Sequence, residues 1–135
     1  MLQRIQSFFL VLYIIISIIN YFYSPNNVLI LIEFFEEKLS IFQISSFLGF
    51  LITTIAFFSF KDRNKQFVLV KIAIAFHFFQ ILMVFYYLLN IKNDFILNIQ
   101  DLIVVLYFMG IALLILALKY IKKDIDLIES TNRIR

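Results

Sequence analysis

Four stretches of about twenty residues, each nearly free of charge, dominate this chain: 5–22, 39–60, 67–89 and 102–118. A helix rises about 1.5 Å per residue, so about 20 apolar residues cross a hydrocarbon core about 30 Å thick. Isolated strands would leave backbone groups unpaired in lipid, and four such segments do not close a barrel. The expectation is an all-α fold: a four-transmembrane-helix antiparallel bundle forming a single membrane domain over residues 1–135. Composition supports a bilayer solvent, with 63% hydrophobic and 16% charged residues against about 45–50% and about 25% in soluble domains. A soluble chain of this size exposes too much of its surface to hide that load.

Basic residues give the orientation. Arg4 precedes the first stretch, and Lys61, Arg63, Lys65 and Lys71 gather between and just inside the second and third. Lys119, Lys122, Lys123, Arg133 and Arg135 follow the fourth. Only Lys38 and Lys92 fall on the other side. The positive-inside rule therefore puts the N and C termini in the cytoplasm. The first stretch reads as an uncleaved span and not a signal peptide, because Asn20-Tyr21-Phe22-Tyr23 stand where small residues would mark cleavage. Tyr21 and Tyr23 suit an interfacial aromatic belt.

The links carry their own signals. Ser24-Pro25-Asn26-Asn27 is a turn. Val28, Leu31, Ile32, Phe35 and Leu39 then recur at helical spacing, which predicts a short amphipathic helix over 28–38 at the outer interface. A single helix from Val28 to Phe60 would be about 50 Å long, so a bend is expected near Glu36–Ser40. The link Lys61–Gln66 is short and makes the second and third helices antiparallel neighbours. In the tail, 119–135, Ile121, Ile125 and Ile128 keep helical spacing, and Glu129 and Arg133 form an i,i+4 pair. The fourth helix is thus expected to continue into the cytoplasm, or to be followed by a second helix on the membrane surface.

Intramembrane polar residues are the candidates for a site. His77 and Gln80 are three apart on one face of the third helix. A proton relay, a quinone contact or a ligand hydrogen bond would use them so. The plainer and favoured reading is hydrogen bonding to Ser or Thr of the second helix. One histidine without a second ligand at suitable spacing makes a poor metal site. Lys71, one turn inside the third helix, is read as snorkelling to the headgroups. Ser45, Gly49, Thr53 and Ala56 form a small-residue stripe, read as bundle packing before a dimer interface. Gln100 and Asp101 are read as capping the fourth helix, and Ser17 and Asn20 as ordinary polar residues of the first.

Several function classes fall away. Cysteine is absent, which removes disulfides and thiolate metal sites. Two glycines cannot build a glycine-rich phosphate loop, and neither paired carboxylates nor a Ser–His–Asp set is found. No cofactor is expected. The net charge of +3 does not gather into a nucleic-acid patch. Richness in Phe and Ile also follows from an A- and T-biased genome, so the aromatics are not read as a binding surface.

Three pieces carry a family resemblance: Met1-Leu2-Gln3-Arg4-Ile5-Gln6 at the start, Phe60-Lys61-Asp62-Arg63-Asn64-Lys65-Gln66 in the link, and Ile121-Lys122-Lys123-Asp124 through Leu127-Ile128-Glu129-Ser130 to Asn132-Arg133-Ile134-Arg135 at the end. With them the chain resembles a family of small four-helix membrane proteins of Bacteroidota, catalogued as a domain of unknown function. Members of that family often have a longer outer loop after the first helix than this chain does. The resemblance implies a multi-pass bacterial inner-membrane protein and brings no activity or catalytic residue with it.

The expected function is a non-enzymatic accessory subunit or interaction protein. Its cytoplasmic surface of Arg4, Lys61, Arg63, Lys65, Lys122, Lys123, Arg133 and Arg135 would dock a membrane-protein partner or a second copy, or hold anionic lipid headgroups of the bilayer. The alternative is a small transporter or channel using His77 and Gln80, although proton-coupled exporters normally need a central carboxylate and none lies there.

Overall fold

The computed structural model describes residues 2–23, 31–34, 37–90 and 99–133, with side chains for 5–22, 43–85 and 104–131. Four helices follow in order: α1 Leu2–Tyr23, α2 Ile41–Phe58, α3 Arg63–Asn90 and α4 Ile99–Arg133. Each helix packs on two others: α1 on α2 and α4, α3 on α2 and α4. That leaves α1 and α3 facing each other across the bundle axis, with α2 and α4 across the other diagonal.

Three of the four are long and apolar enough to cross a membrane, over Ile5–Phe22, Arg63–Phe85 and Val104–Thr131. In α2 the apolar helical stretch with described side chains is shorter, Gln43–Phe58. The surface is inverted relative to a soluble bundle. Phe8, Phe22, Phe58, Val68, Leu82 and Val105 are exposed, while Gln6, Asn20, Ser46, Thr53, His77 and Gln80 are buried. Water would penalise such exposed phenylalanines, whereas lipid accepts them and demands that polar groups find partners inside.

The segment between α1 and α2 corrects one expectation. Instead of an amphipathic helix over 28–38, Leu31–Phe34 (β1) and Glu37–Ser40 (β2) form an antiparallel pair. Apolar residues at helical spacing also fit here because Ile30, Leu31, Ile32, Phe34 and Phe35 crowd the run with strand-favouring types. The register sets Ile32 opposite Leu39 and Glu33 opposite Lys38, combinations that favour cross-strand pairing. The expected bend is a change from strand to helix between Ser40 and Ile41. The turn expected at Ser24–Asn27 lies outside the described residues.

The link between α2 and α3 is tighter than Lys61–Gln66. The Ser59 hydroxyl and amide both donate to the Ile55 carbonyl, at 2.7 and 3.0 Å, closing α2. The Asp62 carboxylate then accepts the Lys65 amide at 3.0 Å, an N-cap on the first turn of α3. That cap draws Arg63–Gln66 into the helix and turns Arg63 inward.

At the far end of the chain α4 runs unbroken for 35 residues, about 52 Å. The first of the two tail alternatives, a continuing helix, therefore holds. Gln100 and Asp101 fall in its first turn, with side chains outside the description.

Four buried or half-buried residues tie the ends of these helices together. Arg63 Nε lies 3.0 Å from Asp124 Oδ2, and Arg63 Nη1 donates to Gln66 Oε1 at 3.0 Å. Gln6 Nε2 donates to the same Asp124 oxygen at 3.5 Å. The start of α1, the start of α3 and the late part of α4 thus meet at one end of the bundle, hereafter the basic end. Phe9 stacks on Tyr120 at 5.6 Å just inside it. Each of the three sequence pieces that carry the family resemblance contributes to this cluster: Gln6, then Arg63 and Gln66, then Asp124. Asp124→Asn leaves the Arg63 guanidinium buried without its counter-charge. Removing one partner of a buried pair costs roughly 3 kcal/mol, the low end of the range because Asp124 keeps some exposure. Unfolding of the purified protein in mixed micelles is expected to show that loss, with Arg63→Leu in the Asp124→Leu background recovering much of it.

Candidate functional site

About 21 Å deeper along α3 than Arg63, at 1.5 Å per residue, lies the second polar cluster. His77 is buried, against α4, which flanks α3, and α1, which faces it. Its Nε2 is 2.7 Å from the backbone carbonyl of Tyr107 on α4. A carbonyl only accepts, so Nε2 carries the hydrogen. In the neutral imidazole Nδ1 is then the acceptor, and it receives the Tyr13 hydroxyl of α1 at 3.1 Å. The rings meet edge to face, with centroids 5.3 Å apart and planes at 74°.

Tyr13 and His77 come from the diagonal pair α1 and α3, so their bond is a strut through the bundle axis. The other diagonal supplies the room. A Cβ on Gly49 of α2 would stand 3.0 Å from the Tyr13 hydroxyl oxygen, and one on Gly110 of α4 would stand 2.8 Å from the His77 ring. These are the two glycines of the chain, and both flank the strut. Large side chains across one diagonal require small ones across the other. Gly110 also sits one turn past Tyr107, where its missing Cβ lets the imidazole reach the helix carbonyl.

Gln80, one turn along α3, donates from Nε2 to the Ser45 and Ser46 hydroxyls of α2, each at 3.2 Å. The expected bond from α3 to serines of α2 is therefore present for Gln80. His77 instead reaches α1 and α4. Thr53 turns its hydroxyl back to the Gly49 carbonyl at 2.7 Å. Ser45, Gly49, Thr53 and Ala56 all face the interior, so the small-residue stripe packs within the bundle. Ser17 is satisfied by the Ile14 carbonyl of its own helix at 2.8 Å.

Between this cluster and the basic end lies an apolar layer. Leu10, Val70, Ala73, Leu114 and Ala117 are fully buried against one another. On the opposite side of the strut a cleft of about 210 Å³ separates α1 from α2, with Ser17 and Ser46 among walls that include Tyr21, Phe22 and Phe47.

The basic residues divide. Lys61, Lys65, Lys122 and Lys123 are exposed. Arg63 is not a surface residue as expected; the Asp62 cap turns it inward to Asp124 and Gln66. The side chains of Arg4, Arg133 and Arg135 lie outside the description. Lys71 is exposed and its ammonium lies 4.4 Å from the centroid of Phe67, one turn nearer the basic end, the direction a snorkelling lysine takes. The sequence reading passed over Tyr13, Tyr107, Gly110, Gln6, Gln66 and Asp124 as site residues. A signal existed for two of them. Tyr13 lies in mid-span and away from any interfacial belt, and Gly110 is the glycine of the fourth apolar stretch.

Gly110→Ala is expected to destabilise by about 1–3 kcal/mol through overpacking, since the His77 ring is held at both nitrogens and cannot yield cheaply. In a His77→Ala background the same change removes a helical glycine with space to spare and should stabilise by up to about 1 kcal/mol. Unfolding measurements on the four proteins of this cycle give the coupling directly.

The chain belongs to the family described as Domain of unknown function (DUF4293), whose model matches residues 2–134. No curated protein and no solved structure matches it.

Proposed function

From membership of a family whose description assigns no activity, the function has to be read from the residues themselves, and we propose that this chain is a non-enzymatic accessory subunit of a bacterial inner membrane. It crosses the bilayer four times as an antiparallel bundle, with the basic end in the cytoplasm. Several pairings support the antiparallel arrangement. Gln6 meets Asp124, Phe9 meets Tyr120, and Tyr13 lies beside Gly110, so α4 numbers fall as α1 numbers rise. Ten of the twelve Lys and Arg residues lie in sequence before α1's apolar run, at the α2–α3 link or the first turns of α3, or after α4's apolar run, which favours a cytoplasmic address for the basic end.

The observation that carries the accessory role is the extension of α4. Beyond the Asp124 tie and the packing of Ile125 on the core, Leu127 and Ile128 stand about half exposed, with Lys122 and Lys123 exposed just before them. Ile128 is about 6 Å past Asp124 along the helix axis, beyond the ionic cluster of the basic end. Apolar side chains there suit a protein partner. The transport alternative is weaker. Both ring nitrogens of His77 and the amide nitrogen of Gln80 are engaged with neighbouring helices, and the apolar layer separates them from the basic end.

A stop codon after Asp126 removes Leu127 and Ile128 but keeps the Asp124 tie, which a stop after Tyr120 would destroy. Purified from native membranes in mild detergent, the 135-residue chain is expected to bring a defined protein that the shortened chain loses, with both bundles equally stable. Equal recovery of the same protein by both chains, or full cellular function of the shortened one, would contradict the docking role.

A further inference from the structure

We propose that the basic end holds one bound water molecule on the bundle axis, bridging Gln6 of α1 to Arg63 of α3. Gln6 is fully buried and Arg63 is nine-tenths buried. Each spends one polar atom on the same oxygen of Asp124. Each also retains a buried atom with no protein partner: Gln6 Oε1, an acceptor, and Arg63 Nη2, a donor. Leaving such atoms unmet carries their full desolvation penalty, which is larger where charge is involved. Gln6 and Arg63 come from facing helices and meet at one oxygen of Asp124, which brings the two unmet atoms to the same carboxylate.

The chemistry of the two atoms selects the occupant. It must accept from a guanidinium and donate to an amide oxygen, and it must be small. An anion satisfies Arg63 but meets Gln6 Oε1 and the Asp124 carboxylate as repulsive neighbours. A cation has the reverse difficulty with Arg63. Water does both jobs and is the ordinary partner of buried polar atoms that no protein group meets. The apolar layer of Leu10, Val70, Ala73, Leu114 and Ala117 lies inward, so the water ends at the mouth of the bundle and does not begin a file through it.

Solid-state NMR of the whole chain in lipid bilayers, with water-edited transfer to side-chain nitrogens, tests the site. The Gln6 amide is expected to receive strong transfer from water although its side chain is shielded from bulk solvent, whereas the His77 ring nitrogens should receive little. In Gln6→Leu, transfer to Arg63 Nη2 should fall several-fold while the His77 signals stay in place. Absent transfer to Gln6, or undiminished transfer to Arg63 Nη2 in Gln6→Leu, would overturn the bridge. Titration with chloride and then inorganic phosphate should leave the Arg63 signals unmoved; saturable shifts would make the site an anion site and refute the proposal.

Discussion

The strut from Tyr13 to His77 is the interaction around which the rest of the bundle is arranged. In lipid, helices gain no hydrophobic driving force from meeting, because the acyl chains are as apolar as their own side chains. Association has to come from close packing and from hydrogen bonds, each worth about 0.6 to 2 kcal/mol in such surroundings. The strut uses both. It joins the two helices that do not flank each other, anchors the imidazole on a backbone carbonyl of a third, and forces glycine onto the second and fourth helices at its own level. Helix spacing at that depth follows from these four residues.

The second tie, at the basic end, works on the same diagonal. Gln6 and Arg63 reach the axis from α1 and α3, and Asp124 of α4 receives both. An ion pair would be expensive at the depth of His77; at the helix ends the cost is lower and the charge is partly reached by solvent. The bundle is therefore pinned by neutral groups in mid-span and by charged ones at one rim, with a layer of small and branched apolar side chains between. The same rim is where α4 leaves the bundle, so the Asp124 tie also fixes the direction in which its last turns project.

Much of this was legible in the sequence because lipid imposes long uniform stretches. Helix existence and approximate bounds followed from apolar length, while spacing in the tail left a continuing helix and a separate surface helix both open. His77 and Gln80 stood out because polar side chains in mid-span are few. What they touch did not follow, since periodicity places residues on a face but not the face against a neighbour. Gln80 met the serines expected of it, while His77 turned to Tyr13 and to a carbonyl that no residue type advertises. The basic end was harder. Arg63 counted as one more surface cation until the Asp62 cap set the phase of α3, and a one-residue change of phase turns a side chain by about 100°. The strand pair Leu31–Phe34 and Glu37–Ser40 was missed because a short apolar run satisfies both helical and strand periodicities.

All of it depends on the bilayer being the solvent, and on α2, the shortest apolar helix, crossing it. The chain has no cysteine, so single cysteines placed at Asn27, Lys61 and Thr131 report cleanly. In spheroplasts a membrane-impermeant maleimide should label the Asn27→Cys protein at once, and the Lys61→Cys and Thr131→Cys proteins only after lysis. Labelling of Asn27→Cys and Lys61→Cys from the same side would mean that α2 does not span, and the four-helix membrane bundle would have to be abandoned.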